Sequence, residues 1–169
     1  MRILRIADIS DNRTGGMSRT MYCTGDELQR MGHEVEYWFE NRIRSRTVPI
    51  QFRRFIIPWR IVLELERELL RGKAYDIVEI HEPISARYAW QRQRLPPLVI
   101  FSYGLEERSH EAMLGYRRLK GLPVSTKMRF SPLSVVWQAA YSVRRAAHVI
   151  CSNSEDVNHL RNAGQRHGN

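Results

Sequence analysis

Short apolar runs alternate with helical patterns along this chain, and that alternation constrains the fold more than any other feature. ILRIADI (3–9), YDIVEIHE (75–82), LVIFSY (98–103) and HVICS (148–152) are nearly continuous apolar runs. Such runs are expected of strands whose two faces are both covered. HEVEYWFE (33–40) instead sets Val35, Tyr37 and Phe39 against Glu34, Glu36 and Trp38, the alternation of a half-buried strand. Between the first run and this one, Met17, Met21, Thr24, Leu28 and Met31 recur at helical spacing, and Gly32 stops the helix. Strand, glycine turn, helix and strand make a βαβ unit.

The alternation continues. QFRRFII (51–57) reads as an edge strand ended by Pro58, followed by a strong helix over 59–71 and a weakly amphipathic one over 84–94. A further helix is expected over 105–120, broken at Gly121-Leu122-Pro123. Ser131-Pro132 starts the next, with Leu133, Val136, Ala140, Val143 and Ala147 on its buried face. Ser152 and Glu155 have capping-box spacing for a last helix stopped by Gly164. The pattern predicts a Rossmann-like, doubly wound parallel α/β sheet with helices on both faces, one domain over residues 1–169. A chain of this length buries a real core.

Basic residues exceed acidic ones by 27 to 18, and the excess is unevenly placed. Asn41 to Leu63 holds six arginines and no acid; Ala112 to Ser154 holds seven Lys/Arg and no acid. Arg53, Arg54 and Trp59, beside Phe52 and Phe55, form a cationic strip with aromatic side chains, suited to an anionic membrane surface. A merely solvated charged face, with arginines paired to acids such as Glu64 and Glu68, accounts for the same pattern. Nucleic acid is the least favoured partner, because no recognised nucleic-acid motif accompanies the charge. Cys23 and Cys151 are the only cysteines, too few for a disulfide framework or a metal set. No signal peptide or membrane span is legible, so the expectation is a cytoplasmic protein, peripheral on the inner face of the membrane.

In a parallel sheet, ligands bind beyond the carboxyl ends of the strands. Four loops fall there: Ser10–Ser18, His81-Glu82-Pro83, Tyr103-Gly104-Leu105-Glu106 and Ser152-Asn153-Ser154. Gly15 and Gly16 permit close backbone approach at a helix N-terminus, where a phosphate is favoured; a plain tight turn is the alternative. The pattern is neither G-x-G-x-x-G nor a P-loop. His81 and Glu82 end a strand, where a histidine is equally a satisfied structural group. No second His, Asp or Glu stands at metal-ligand spacing, so no metal is expected.

These residues resemble the N-terminal domain of GT-B glycosyltransferases of the retaining family 4 type, over essentially the whole chain. RILRIADISDNRTGGMSRTMYCTGDELQRMGHEVEYW is similar to the family's strand, Gly-Gly loop, helix and Gly-His-Glu-Val opening. YDIVEIHEP resembles its D-V-V-H-x-H-x-P strand, with the second histidine kept as His81. VIFSYGLEER resembles V-x-T-x-H-G-L-E, with Tyr103 in place of the histidine that contacts the transferred sugar. HVICSNSEDVNHL resembles A-D-x-V-I-A-V-S-E-x-x-x-x-x-L.

The resemblance implies transfer of a sugar from a nucleotide-sugar to a glycolipid, polysaccharide or other glycan-type acceptor, with no cofactor or metal. Tyr103 and His81 would be the catalytic candidates. Gly15, Gly16, Met17, Glu82, Gly104, Glu106, Asn153 and Ser154 would contact donor phosphate or acceptor. The donor-binding C-terminal domain of the family has no counterpart in these residues, so the chain alone is expected to be inactive. The rival expectations are a stand-alone module with a basic surface, or the acceptor-binding subunit of a split enzyme.

Overall fold

The four continuous apolar runs and the alternating run at 33–40 become the strands of one five-stranded sheet in the computed structural model, which describes residues 1–166. The strands are β1 (Arg2–Ile6), β2 (Glu34–Trp38), β3 (Ile77–His81), β4 (Leu98–Ser102) and β5 (His148–Cys151). They lie in the order β2-β1-β3-β4-β5, and every pairing is parallel. The helices are α1 (Gly16–Arg30), α2 (Ile50–Leu70), α3 (Ala86–Gln91), α4 (Glu106–Leu119), α5 (Thr126–Phe130), α6 (Val135–Arg145) and α7 (Ser154–Arg166). The domain is therefore α/β and Rossmann-like. The chain reverses its direction of travel across the sheet between β1 and β3, which opens a crevice there.

The two faces of the sheet have separate cores. Leu4, Ile6, Val78, Ile80 and Ile100 pack with Ile57, Ile61 and Leu65 of α2 and Tyr88 and Ala89 of α3. On the other face Met21 of α1 packs with Ala7 and Phe39, flanked by Tyr22 and Tyr37. Gly25 faces Tyr37 so closely that a Cβ would sit 1.7 Å from the phenol oxygen. Only glycine lets α1 approach β2 to that distance.

Three expectations change. Residues 51–57 are not an edge strand: α2 runs through them and carries Pro58 buried inside it. Ile57, Ile61, Val62 and Leu65 form one buried helical stripe, which outweighs the hydrogen bond that proline removes. Trp38 is buried rather than turned outward with Glu34 and Glu36, because the α2 side of β2 is covered as well. HVICS is an edge strand, not a buried one, and Ile150 is 44% exposed.

Smaller shifts occur at the helices. The buried side chains of α6 are Ala139 and Ser142, and Leu133 lies in the exposed turn before it. The cap of α7 falls one residue later than the sequence spacing suggests. Asn153 Oδ1 accepts the Asp156 N–H at 2.8 Å, and the helix continues through Gly164 to Arg166. Cys23 is exposed and Cys151 only partly buried; burial and the nearby Asp156 and Glu82 carboxylates raise the Cys151 thiol. Among the described residues no helix is long and apolar enough to cross a membrane.

Candidate functional site

The segments leaving β1, β3 and β4 enclose a cleft of about 370 Å³ at the reversal point of the sheet. Asp8 comes from the β1 end, Met17 from α1, His81 and Glu82 from the β3 end, and Tyr103, Gly104 and Glu106 from the β4 end. Arg54 reaches the same wall from α2. Six residues that the sequence pointed to as one rim, Met17, His81, Glu82, Tyr103, Gly104 and Glu106, thus line a single cavity.

His81 is buried, and its ring stacks on Phe101 at 5.3 Å and tilts against Tyr103 at 5.4 Å. Neither ring nitrogen makes a hydrogen bond, although Nε2 stands 3.4 Å from Glu79 Oε1. Behind it, Arg5 donates from Nε and Nη2 to Glu79 Oε1 at 3.0 and 2.7 Å. Burial alone would raise the Glu79 carboxyl; His81 and the Arg5 guanidinium outweigh it and hold the carboxyl below its usual range. Arg5 also donates to the Met21 carbonyl at 2.6 Å, tying the floor of the cleft to α1.

Tyr103 bridges two walls: its hydroxyl donates to the Met17 carbonyl at 3.1 Å. Burial raises its phenol, so it remains a hydroxyl near neutral pH. Glu82 behaves differently. Burial pushes its carboxyl up to about 7; a contact with Ser102 opposes this, and the Glu106 and Asp156 carboxylates add to it. Glu82 Oε2 is buried without a hydrogen-bond partner, and so is Asp8 Oδ1. Arg54 Nη1 stands 3.9 Å from Glu106 Oε1, a loose and partly exposed pair.

The glycine loop lies at the rim. Gly15 is the extended N-cap of α1, with no side-chain capping bond, and no acid stands in the first turn. Gly16 has φ +52, a conformation that favours glycine. The first N–H groups of α1 are therefore open to an anion. Gly15 and Gly16 do not line the cleft itself; Met17 does.

Asn153 and Ser154 stand apart from the cavity. Asn153 spends its amide on Asp156, at 2.8 Å from Nδ2 to Oδ2 and again at the Asp156 N–H. Asp156 in turn accepts the Leu105 N–H at 3.2 Å and pairs with Arg108. Burial would raise the Asp156 carboxyl, but Arg108, Asn153 and the Leu105 N–H hold it low. This turn therefore fixes the 103–106 loop from behind. Asp156, Asp8 and Phe101 were not singled out by sequence reasoning; an acid at the third position of a helix and one at a strand end were the available signals.

Most arginines of the strip have partners within the fold. Arg42 pairs with Glu64 and Glu68 at 3.3 and 2.9 Å, and Arg46 with Glu40 at 2.5 Å. Arg60 donates to the Arg44 carbonyl at 2.7 Å, and Arg53 Nε donates to the Val48 carbonyl at 3.1 Å. Ile50, Phe52, Phe55, Trp59 and Leu63 remain exposed along α2 beside them. Among the described residues no three His, Cys, Asp or Glu side chains cluster to hold a metal.

The fold is that of a parallel, Rossmann-like α/β domain with a cleft at its reversal point, where domains of this class place their ligands. The glycosyltransferase family 4 model matches residues 14–167, and the chain belongs to that family. Its function is accordingly of the glycosyltransferase type. Comparison with curated proteins and with solved structures gives no match.

Proposed function

We propose that this domain is the acceptor-side half of a GT-B enzyme that transfers a sugar, with retention, from a nucleotide-sugar to a glycan-type acceptor. One observation carries the reading: an acid-lined cleft adjoins an open helix N-terminus. Asp8, Glu82 and Glu106 are hydrogen-bond acceptors, suited to the hydroxyl groups of a sugar. The uncapped start of α1 is suited to a phosphate, worth about 0.3–1 kcal/mol from the helix dipole.

In this reading a second domain, in the same chain or in a partner subunit, grips the nucleotide and closes over the cleft. The bond from the sugar's anomeric carbon to the phosphate oxygen breaks, and a bond to an acceptor oxygen forms. The acceptor's proton passes to the leaving phosphate. Glu82 and Tyr103 position the acceptor, and the Gly15-Gly16 loop with Met17 faces the phosphates. Positioning and charge stabilisation carry such a transfer, with no metal step required of these residues. His81 shapes the floor, because its ring nitrogens are shielded.

The exposed Ile50 and Phe52 at the start of α2, with Arg53 and Arg54 beside them, support docking on an anionic leaflet that presents a lipid-borne acceptor. Calorimetric titration with neutral sugars and with nucleotide-sugars tests the division of labour. Neutral sugars should bind in the cleft, and tight nucleotide-sugar binding by this domain alone would count against it.

A further inference from the structure

Three of the four tryptophans are exposed, and all three meet at one small cavity. Trp59 of α2 is 52% exposed, Trp90 of α3 65% and Trp137 of α6 57%, around a hollow of about 150 Å³. Elements distant in sequence have to converge to make this arrangement. It costs exposed aromatic area that a soluble domain otherwise hides.

The hollow is a furnished surface rather than a bare apolar patch. The Arg87 guanidinium carbon stands 3.8 Å from the Trp59 ring centroid and 5.5 Å from that of Trp90, so the arginine is clasped between two indoles. Its Nε is buried without a hydrogen-bond partner. Trp137 stacks on Tyr141 at 5.5 Å, which fixes its ring plane. Gln138 adds an amide at the wall. Fixed aromatic faces with planar N–H donors and an amide between them are what a pyranose ring asks for. Its C–H face packs on an aromatic ring while its hydroxyls hydrogen-bond at the edge.

Arg54 lines both this hollow and the cleft at the strand ends, so the two are neighbours that share one side chain. We propose that Trp59, Trp90, Trp137 and Arg87 form an extended subsite that seats the distal sugar rings of an oligosaccharide acceptor whose reacting ring lies in the cleft. The proposal rests on the acceptor-side reading above and adds to it the acceptor's class: a chain of sugars, not a single ring. A nucleobase fits less well, because Arg87 already fills the slot between the Trp59 and Trp90 indoles in which a flat base would stack, whereas the exposed Trp137 ring still offers a face to a sugar.

The test is binding of the purified chain to a printed array of mono- and oligosaccharides, with calorimetry on the best probe. Trp90→Ala and Trp137→Ala remove exposed side chains and should leave unfolding unchanged. Each is expected to weaken oligosaccharide binding about tenfold, the worth of one lost ring stack, without altering binding of the matching monosaccharide. Glu82→Gln should weaken both probes. Equal affinity for one ring and for several, unchanged binding in both tryptophan variants, or no binding to any saccharide would overturn the subsite. So would a loss confined to anionic vesicles or to a nucleotide-sugar. The acceptor-side reading is tested separately, by sugar transfer, and survives if Glu82→Gln weakens saccharide binding while the tryptophan variants do not.

Discussion

Arg5 and Glu79 stand opposite one another on β1 and β3, their side chains 2.7 Å apart and only 2% and 7% exposed. A buried pair of this kind contributes little against an apolar replacement, but each partner depends on the other. Arg5→Met alone should cost about 3–5 kcal/mol, because it leaves Glu79 charged and uncompensated beneath His81. The double change Arg5→Met with Glu79→Leu should regain most of that loss. Denaturant unfolding reads both, and a single variant as stable as the parent would remove this pair from the account.

Glu82 gives the cleft a pH dependence whose sign follows from its burial. The folded-state carboxyl is pushed up to about 7, whereas the unfolded chain titrates near the ordinary glutamate value of about 4.3. The folded state therefore holds the proton more tightly. Its stabilising contribution is complete below about pH 4 and is lost as pH rises through about 7. Glu82→Gln stays neutral throughout, so it should be more stable than the parent at about pH 8, by up to about 3.5 kcal/mol. Melting curves across that range check the prediction, and parallel curves for the two proteins would contradict it.

The two glycines of the loop should behave differently. Gly16 has φ +52 with nothing within 4 Å of an added Cβ, so Gly16→Ala pays only the backbone cost, about 1–2 kcal/mol. Gly15 is extended, and a Cβ there would stand 3.5 Å from Asn12 Nδ2, so Gly15→Ala should be nearly neutral in stability. Gly16→Val should still fold and should impair transfer by the complete enzyme. Thermal unfolding of the alanine pair tests the contrast, which fails if both cost the same.

Much of this was legible in sequence because periodicity reports burial. The continuous runs at 3–9 and 75–82 became strands covered on both faces, that at 98–103 a strand whose Val99 and Phe101 are only half-buried, and the ends of all three supplied the cleft. QFRRFII misled because a proline followed an apolar run, and local punctuation outweighed the helical stripe that continues through Ile61 and Leu65. Trp38 misled because alternation with two glutamates cannot reveal that Glu36 is satisfied by Lys73 and Tyr75 while Trp38 is buried. Asp156 and the tryptophan cluster were invisible for a different reason. Their partners lie far away in sequence, and no local pattern encodes such a meeting.

Docking on anionic membranes should be driven by fewer arginines than the sequence count suggests. Arg42 and Arg46 are tied to Glu64, Glu68 and Glu40, while Arg54 has only a loose contact with Glu106. Each basic residue at an anionic surface is worth about 1 kcal/mol, so Arg53→Glu combined with Arg54→Glu should weaken vesicle binding at least about tenfold. Co-sedimentation at rising salt should show a steep fall in the parent. Equal binding to neutral and anionic vesicles, or to neither, would end this proposal.

Sugar transfer itself tests the central claim most directly. Labelled UDP- and GDP-hexoses can be supplied, with membrane and glycan extracts as acceptors, to this chain alone and to the enzyme completed by a donor-binding domain. The isolated chain should transfer nothing. The completed enzyme should transfer, and Tyr103→Ala or Glu82→Gln should cut its turnover about a hundredfold while leaving the donor KM nearly unchanged if, as proposed, both residues act on the acceptor. Full activity in those variants, or millimolar or tighter nucleotide-sugar binding by the isolated chain, would contradict the assignment of this cleft to the acceptor.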